Sequence, residues 1–151
     1  MLDTHRIRTR TDEIRKRLLV CEKNFRAIPE AKFLRDGQLN AAAERNLQVA
    51  IQACIDIANH LVAALGLERP SKEPADVFDT LAKEKIIPER FLETMRKMVG
   101  YRNVVVHNYL VVDRNVTYDI IQNRLPDLSK FAKYIEEFLE KTSKKKGKII
   151  P

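Results

Sequence analysis

Tryptophan is absent from the chain, cysteine occurs twice and glycine four times in 151 residues, and each shortage excludes something. Cys21 and Cys54 lie in apolar, helix-spaced stretches without metal-ligand spacing, so both read as reduced core residues and no disulfide is expected. None of the sparse glycine forms a phosphate-cradling loop, which disfavours ATPase chemistry. His5, His60 and His107 are dispersed, and the carboxylates do not fall at ligand spacings either, so neither a metal centre nor any other cofactor is expected. The N-terminus mixes Leu2 and Ile7 with Arg6, Arg8, Arg10 and Asp12, unlike the unbroken apolar block of a signal peptide. No later segment reads as membrane-spanning, and a cytoplasmic protein without membrane association is expected.

Charge of one sign is in excess, but unevenly. Lys141, Lys144, Lys145, Lys146 and Lys148 supply five of the seven net positive charges, leaving two for the rest of the chain. Residues 1–140 therefore read as one compact helical domain, and 141–151 as a mobile basic tail offering at most salt-sensitive attraction to RNA.

Apolar residues recur at helical rather than alternating spacing, which predicts an all-α fold, an antiparallel bundle of four to five helices. The first helix carries the stripe Ile7, Ile14, Leu18, Cys21, Phe25 and stops before Pro29. After a loop through Asp36-Gly37, Asn40 is the expected N-cap of a central helix ending near Gly66 in a left-handed cap. That helix is apolar except for a strip of Gln48, Gln52, Asp56, Asn59 and His60, read as a polar network or an interface. Pro74 and Pro88 each open a further helix. A last helix begins near Asp113 or Asn115 and is kinked or restarted at Pro126.

The fourth helix carries the anomaly. Leu92, Met95, Val99, Arg102, Val106 and Tyr109 alternate steps of three and four, so Arg102 occupies a seam position that bundles normally fill with an apolar side chain. A guanidinium there requires an ion pair, with Asp56 one candidate carboxylate, or else an open site for an anion such as phosphate. Gly100 weakens the same helix and bares its backbone for close approach. Arg102 and His107 lie about 140° apart around an ideal helix. Convergence on one ligand then needs unwinding near His107 or a second copy, and a dimeric composite site is expected.

These residue types suit metal-free RNA cleavage. An imidazole titrates near neutrality and can take the proton of a 2′-hydroxyl or return one to the leaving oxygen, while a guanidinium stabilises charge growing on phosphate. Asn103 can orient either group.

The octapeptide Arg102-Asn103-Val104-Val105-Val106-His107-Asn108-Tyr109 resembles the R-x4-H-x-Y motif of HepT-like toxins in the HEPN superfamily. The stretch from Leu47 to His60, the segment Val77-Phe78-Asp79-Thr80-Leu81 and the closing Leu125-Pro126-Asp127-Leu128 are similar to the same family in the same order. The resemblance implies a dimeric, metal-independent endoribonuclease toxin of a type II or type VII-like pair, with Arg102 and His107 catalytic and Asn103 auxiliary. It further implies a nucleotidyltransferase-like antitoxin that transfers AMP to Tyr109. The alternative is a non-catalytic module that binds substrate or nucleotide for such a nucleotidyltransferase.

Overall fold

The computed structural model describes residues 2–69 and 72–149, apart from the side chains of Tyr109 and of residues 145–149. Its elements are α1 (Thr4–Asn24), α2 (Glu30–Arg35), α3 (Gly37–Ala64), α4 (Val77–Lys83), α5 (Leu92–His107), α6 (Arg114–Asp119) and α7 (Leu125–Ile149). A π turn, Ile120–Arg124, joins α6 to α7 in one continuous rod, so α1, α3, α5 and α6–α7 form a four-rod bundle. The described residues include no strand.

Each boundary has a local cause. Asp3 accepts from the Arg6 amide at 3.0 Å to start α1. The helix then buries Ile7, Thr11, Ile14, Leu18 and Cys21 along one stripe. At the start of α3 the cap is Asp36, not the expected Asn40: its carboxylate accepts from the amides of Gln38 and Leu39 at 3.0 and 3.2 Å. Asn40 is instead buried inside the helix, where its amide donates to the carbonyls of Phe33 and Asp36 at 2.6 and 3.0 Å. It thereby satisfies the end of α2, a six-residue helix hidden from periodicity because only Phe33 of it is buried. Gly66 takes the left-handed cap (φ 65°), with the Leu67 amide donating to the Val62 carbonyl at 2.9 Å.

The centre of the bundle is α3, which packs against α1, α4, α5 and α7. Leu47, Ile51, Cys54, Ala58 and Leu61 along it are fully buried, and each large apolar side chain so placed contributes about 1.5–3 kcal/mol. Contrary to the expectation that no segment has the character of a span, α3 is long and apolar enough to cross a membrane by length and composition, but over half of that window is buried within the bundle. Three residues of its polar strip find partners, within α3 and along the N-terminal segment. Gln52 donates to Asp56 at 2.9 Å, Asp56 lies 3.7 Å from Arg10, and the Asp3 amide donates to His60 Nε2 at 3.1 Å.

Later elements follow the expected punctuation with small shifts. Pro74 opens a 3-10 turn before α4, whereas Pro88 sits one residue ahead of the 3-10 turn Glu89–Phe91 that leads into α5. Asp113 caps α6 by accepting from the Asn115 amide at 2.9 Å. The kink or restart expected at Pro126 is not a break in the chain: the helix runs on through it, widened to a π turn just before this residue without an N–H. Phe131 of α7 meets Phe78 edge-on at 5.7 Å, and Tyr134 meets Phe91 at 5.3 Å. The lysine segment expected as a separate tail continues α7 as helix to Ile149.

Candidate functional site

Everything singled out for chemistry lies on α5 and the turn after it. Met95, Met98, Val99 and Tyr101 turn inward and are buried, and Val105 packs against the same core. Arg102 falls on the margin of that face and is half-buried. Its Nη1 donates to Asn103 Oδ1 at 2.9 Å, while its Nε is buried without a hydrogen-bond partner. No carboxylate among the described residues lies within ion-pair distance of Arg102. Asp56, a candidate counter-ion by sequence, meets Gln52 and Arg10 instead. A guanidinium so placed keeps donors for a ligand that brings its own negative charge.

His107 is the last residue of α5 and is exposed. The chain leaves the helix at Asn108, whose amide still donates to the Val104 carbonyl at 2.8 Å. Because α5 stays helical through His107, Arg102 and His107 remain about 140° apart around the axis and about 7.5 Å apart along it. Arg102 and Asn103 are brought together; His107 points from another side of the same helix. Tyr109 begins the 3-10 turn Tyr109–Val111, and its side chain lies outside the described residues.

Gly100, Val104 and His107 follow one another along the outward side of α5. The close approach expected at Gly100 is not made within this chain: a Cβ added there would meet nothing within 4 Å. Immediately beyond His107, Leu110 and Val111 are 84% and 69% exposed. Two large aliphatic side chains left in water beside a site are a feature of surfaces that meet another molecule.

Two supporting features were not foreseen. The Tyr101 hydroxyl shares a buried 2.8 Å hydrogen bond with Thr117 Oγ1, tying α5 to α6, and burial pushes its phenol well above the ordinary range. Spacing gave one clue, since Tyr101 stands three residues after buried Met98. Glu44 on α3 is also held above the usual carboxylate range by burial, partly offset by the Arg114 guanidinium. No sequence pattern pairs those two residues. Among the described residues, no group of three His, Cys, Asp or Glu side chains is arranged to hold a metal ion.

Comparison with known proteins identifies the family and the fold. The mRNA nuclease HepT of Shewanella oneidensis is 33% identical over 108 residues, covering 70% of this chain and 79% of that protein. The tRNA nuclease HepT of Aphanizomenon flos-aquae is 29% identical over 117 residues, covering 78% and 79%. Among solved structures, the tri-AMPylated Shewanella oneidensis HEPN toxin in complex with its MNT antitoxin superposes with a TM-score of 0.80 at 28% identity, over 91% of this chain and 99% of that one. Residues 7–135 match the family model described as Ribonuclease HepT-like, a span holding both the α3 core and the Arg102–His107 helix, and the chain belongs to that family.

Proposed function

We propose that this protein is a metal-independent endoribonuclease toxin acting in the cytoplasm, in which Arg102 and His107 cleave RNA by transphosphorylation. The observation that carries this reading is the half-buried Arg102 guanidinium, with an orphaned Nε and no carboxylate within reach among the described residues. A phosphodiester supplies the missing anion. Arg102 stabilises the charge that builds on the phosphate oxygens, while the exposed imidazole of His107 moves the proton between the 2′-hydroxyl and the leaving oxygen. Asn103, bonded to Nη1 at 2.9 Å, orients the guanidinium.

One helix presents these groups on different sides, so a productive site takes them from two copies of the chain. The open flank at Gly100 and the exposed Leu110 and Val111 support a second protomer packing there. Restraint comes from a nucleotidyltransferase-like antitoxin that transfers AMP to Tyr109. The AMPylated toxin–antitoxin relative supports this partner. Phosphate attached two residues beyond His107 would compete with RNA for Arg102.

Purified protein incubated with RNA in EDTA is expected to cleave it, and His107→Ala is expected to abolish cleavage. Equal cleavage by that variant rejects the mechanism. Partner binding retained without nuclease activity in any buffer would make the protein a non-catalytic module instead.

A further inference from the structure

A half-enclosed cleft of about 370 Å³ opens between α5 and the α6–π–α7 rod, floored by the edge of the core and unused by the catalytic proposal. We propose that this cleft receives one unstacked nucleobase of the RNA, next to the bond that is cut; the proposal rests on the ribonuclease reading above.

Shape and chemistry both fit such an occupant. The volume falls within the range of small-ligand pockets, about 300–1,000 Å³. Met98, Tyr101 and Ile120 give it an apolar lining, as a flat heteroaromatic ring requires. Around these, Lys97 and Arg124 offer donors and Glu93 and Asp119 offer acceptors. They are arranged as ion pairs, Lys97 with Glu93 at 3.4 Å and Arg124 with Asp119 at 3.7 Å. Both pairs are well exposed and therefore weakly held. A base edge carries donors and acceptors side by side and can replace either partner, whereas a simple anion or an aliphatic ligand would match only half of this rim.

Position favours the same occupant. Lys97 and Tyr101 stand one turn apart where α5 lines the cleft, and Val104 and His107 follow on the next turns toward the C-terminal end of the same helix. Tyr101 and His107 are about 9 Å apart along the helix axis and about 120° apart around it, so an RNA strand that follows the helix surface joins the two within about two nucleotides. The far wall contains the π turn Ile120–Arg124, a widened register of a kind often found at functional sites. At the mouth stands Val116, 46% exposed, a large aliphatic side chain available to cover a ring.

The test has two arms. In the first, full-length His107→Ala protein is titrated with each nucleoside 5′-monophosphate and followed by NMR. Shifts concentrated at Lys97, Tyr101, Val116, Ile120 and Arg124 are expected, and their loss in a His107→Ala/Val116→Trp double variant that melts normally. Shifts located elsewhere, or none, overturn the proposal whether or not the protein cuts RNA. In the second arm, oligonucleotides differing only at the base beside the cut are expected to differ in kcat/KM by about tenfold, the discrimination that hydrogen-bonded recognition supplies readily. Val116→Trp should flatten that preference by lowering kcat/KM for the favoured oligonucleotide to about the level of the others, and Lys97→Ala, an exposed rim change, should weaken it in part. An unaltered preference in both variants sinks the base pocket but leaves the nuclease reading standing. Absence of cleavage by the wild-type protein would sink the nuclease reading, and the titration arm would still judge the cleft.

Discussion

Arg102 commits one of its N–H groups to Asn103, its neighbour in the chain, at 2.9 Å, and buries its Nε with no partner. A buried donor without an acceptor costs about 1–3 kcal/mol. Replacing the side chain by an apolar one of similar length removes that penalty together with the chemistry. Arg102→Met is therefore expected to melt at or above the wild-type temperature while RNA cleavage falls about 100-fold or more, as when one donor to a developing anion is deleted. Thermal melting and initial rates on the same preparation check this. A marked drop in melting temperature would mean that the guanidinium is a structural residue.

Asn40 holds two elements together, although its Oδ1 is, like the Arg102 Nε, buried without a partner. Its amide closes the carbonyls of Phe33 and Asp36, and the side chain is 2% exposed. With Asn40→Ala the carbonyls of Phe33 and Asp36 keep only their backbone donors, the amides of residues 36 and 40 at 3.3 and 3.1 Å, and losing the two side-chain bonds costs about 1–3 kcal/mol. The expected fall in melting temperature is roughly 5 °C for a domain of this size. Hydrogen exchange should also rise across α2 before it rises in α3. Unchanged protection in α2 would show that the 2.9 Å bond from Arg114 to the Leu34 carbonyl holds the short helix without Asn40.

Glu44 gives a pH signature. Burial raises its carboxyl above the ordinary value, and Arg114 offsets the shift only in part. The folded state then holds this proton more tightly than the unfolded state, so the stability it contributes is present below the unfolded pKa and is lost as pH rises through the folded one. At neutral pH the ionised carboxylate is a net liability. Glu44→Gln should raise the melting temperature at pH 7, and the gain should shrink as the pH is taken below the ordinary glutamate value near 4.3. An equal gain at every pH would show that ionisation is not its cause.

What could be read from the residues alone depended on the length of each element. Long amphipathic stripes such as Ile7 to Cys21 and Leu47 to Leu61 impose their own helices, because every turn repeats the same apolar contact. Helix α2 escaped because six residues with one buried phenylalanine carry no period. The α3 cap was misplaced by four residues because Asp36 and Asn40 are both good capping types, and only the tertiary contact to α2 decides between them. At the site, Arg102 was legible as a charge on an apolar seam. Its lack of a carboxylate was not, since spacing along one helix does not say which acidic side chains the neighbouring helices bring within reach. The cleft beside Tyr101 was invisible for a related reason: its two walls are α5 and a π turn that exists only where the α6–α7 rod adjusts to Pro126.

The separation of Arg102 and His107 around one helix leads to a complementation experiment. If each site takes its guanidinium from one copy and its imidazole from the other, Arg102→Ala and His107→Ala proteins are each inactive alone. A mixed dimer, however, regains one intact site, built from the arginine of the His107→Ala chain and the histidine of the Arg102→Ala chain. Unfolding and refolding the two proteins together should restore about a quarter of wild-type activity, since random pairing makes half the dimers mixed and each of these has one working site of two. Leu110→Asp, which puts a charge on the most exposed aliphatic side chain of the proposed interface, should suppress that recovery and shift the protein toward monomer in sedimentation. Recovery demonstrates exchange of residues across the interface. A refolded mixture that stays inactive, although mass spectrometry shows mixed dimers, would mean that the two groups do not act as a pair drawn from opposite copies.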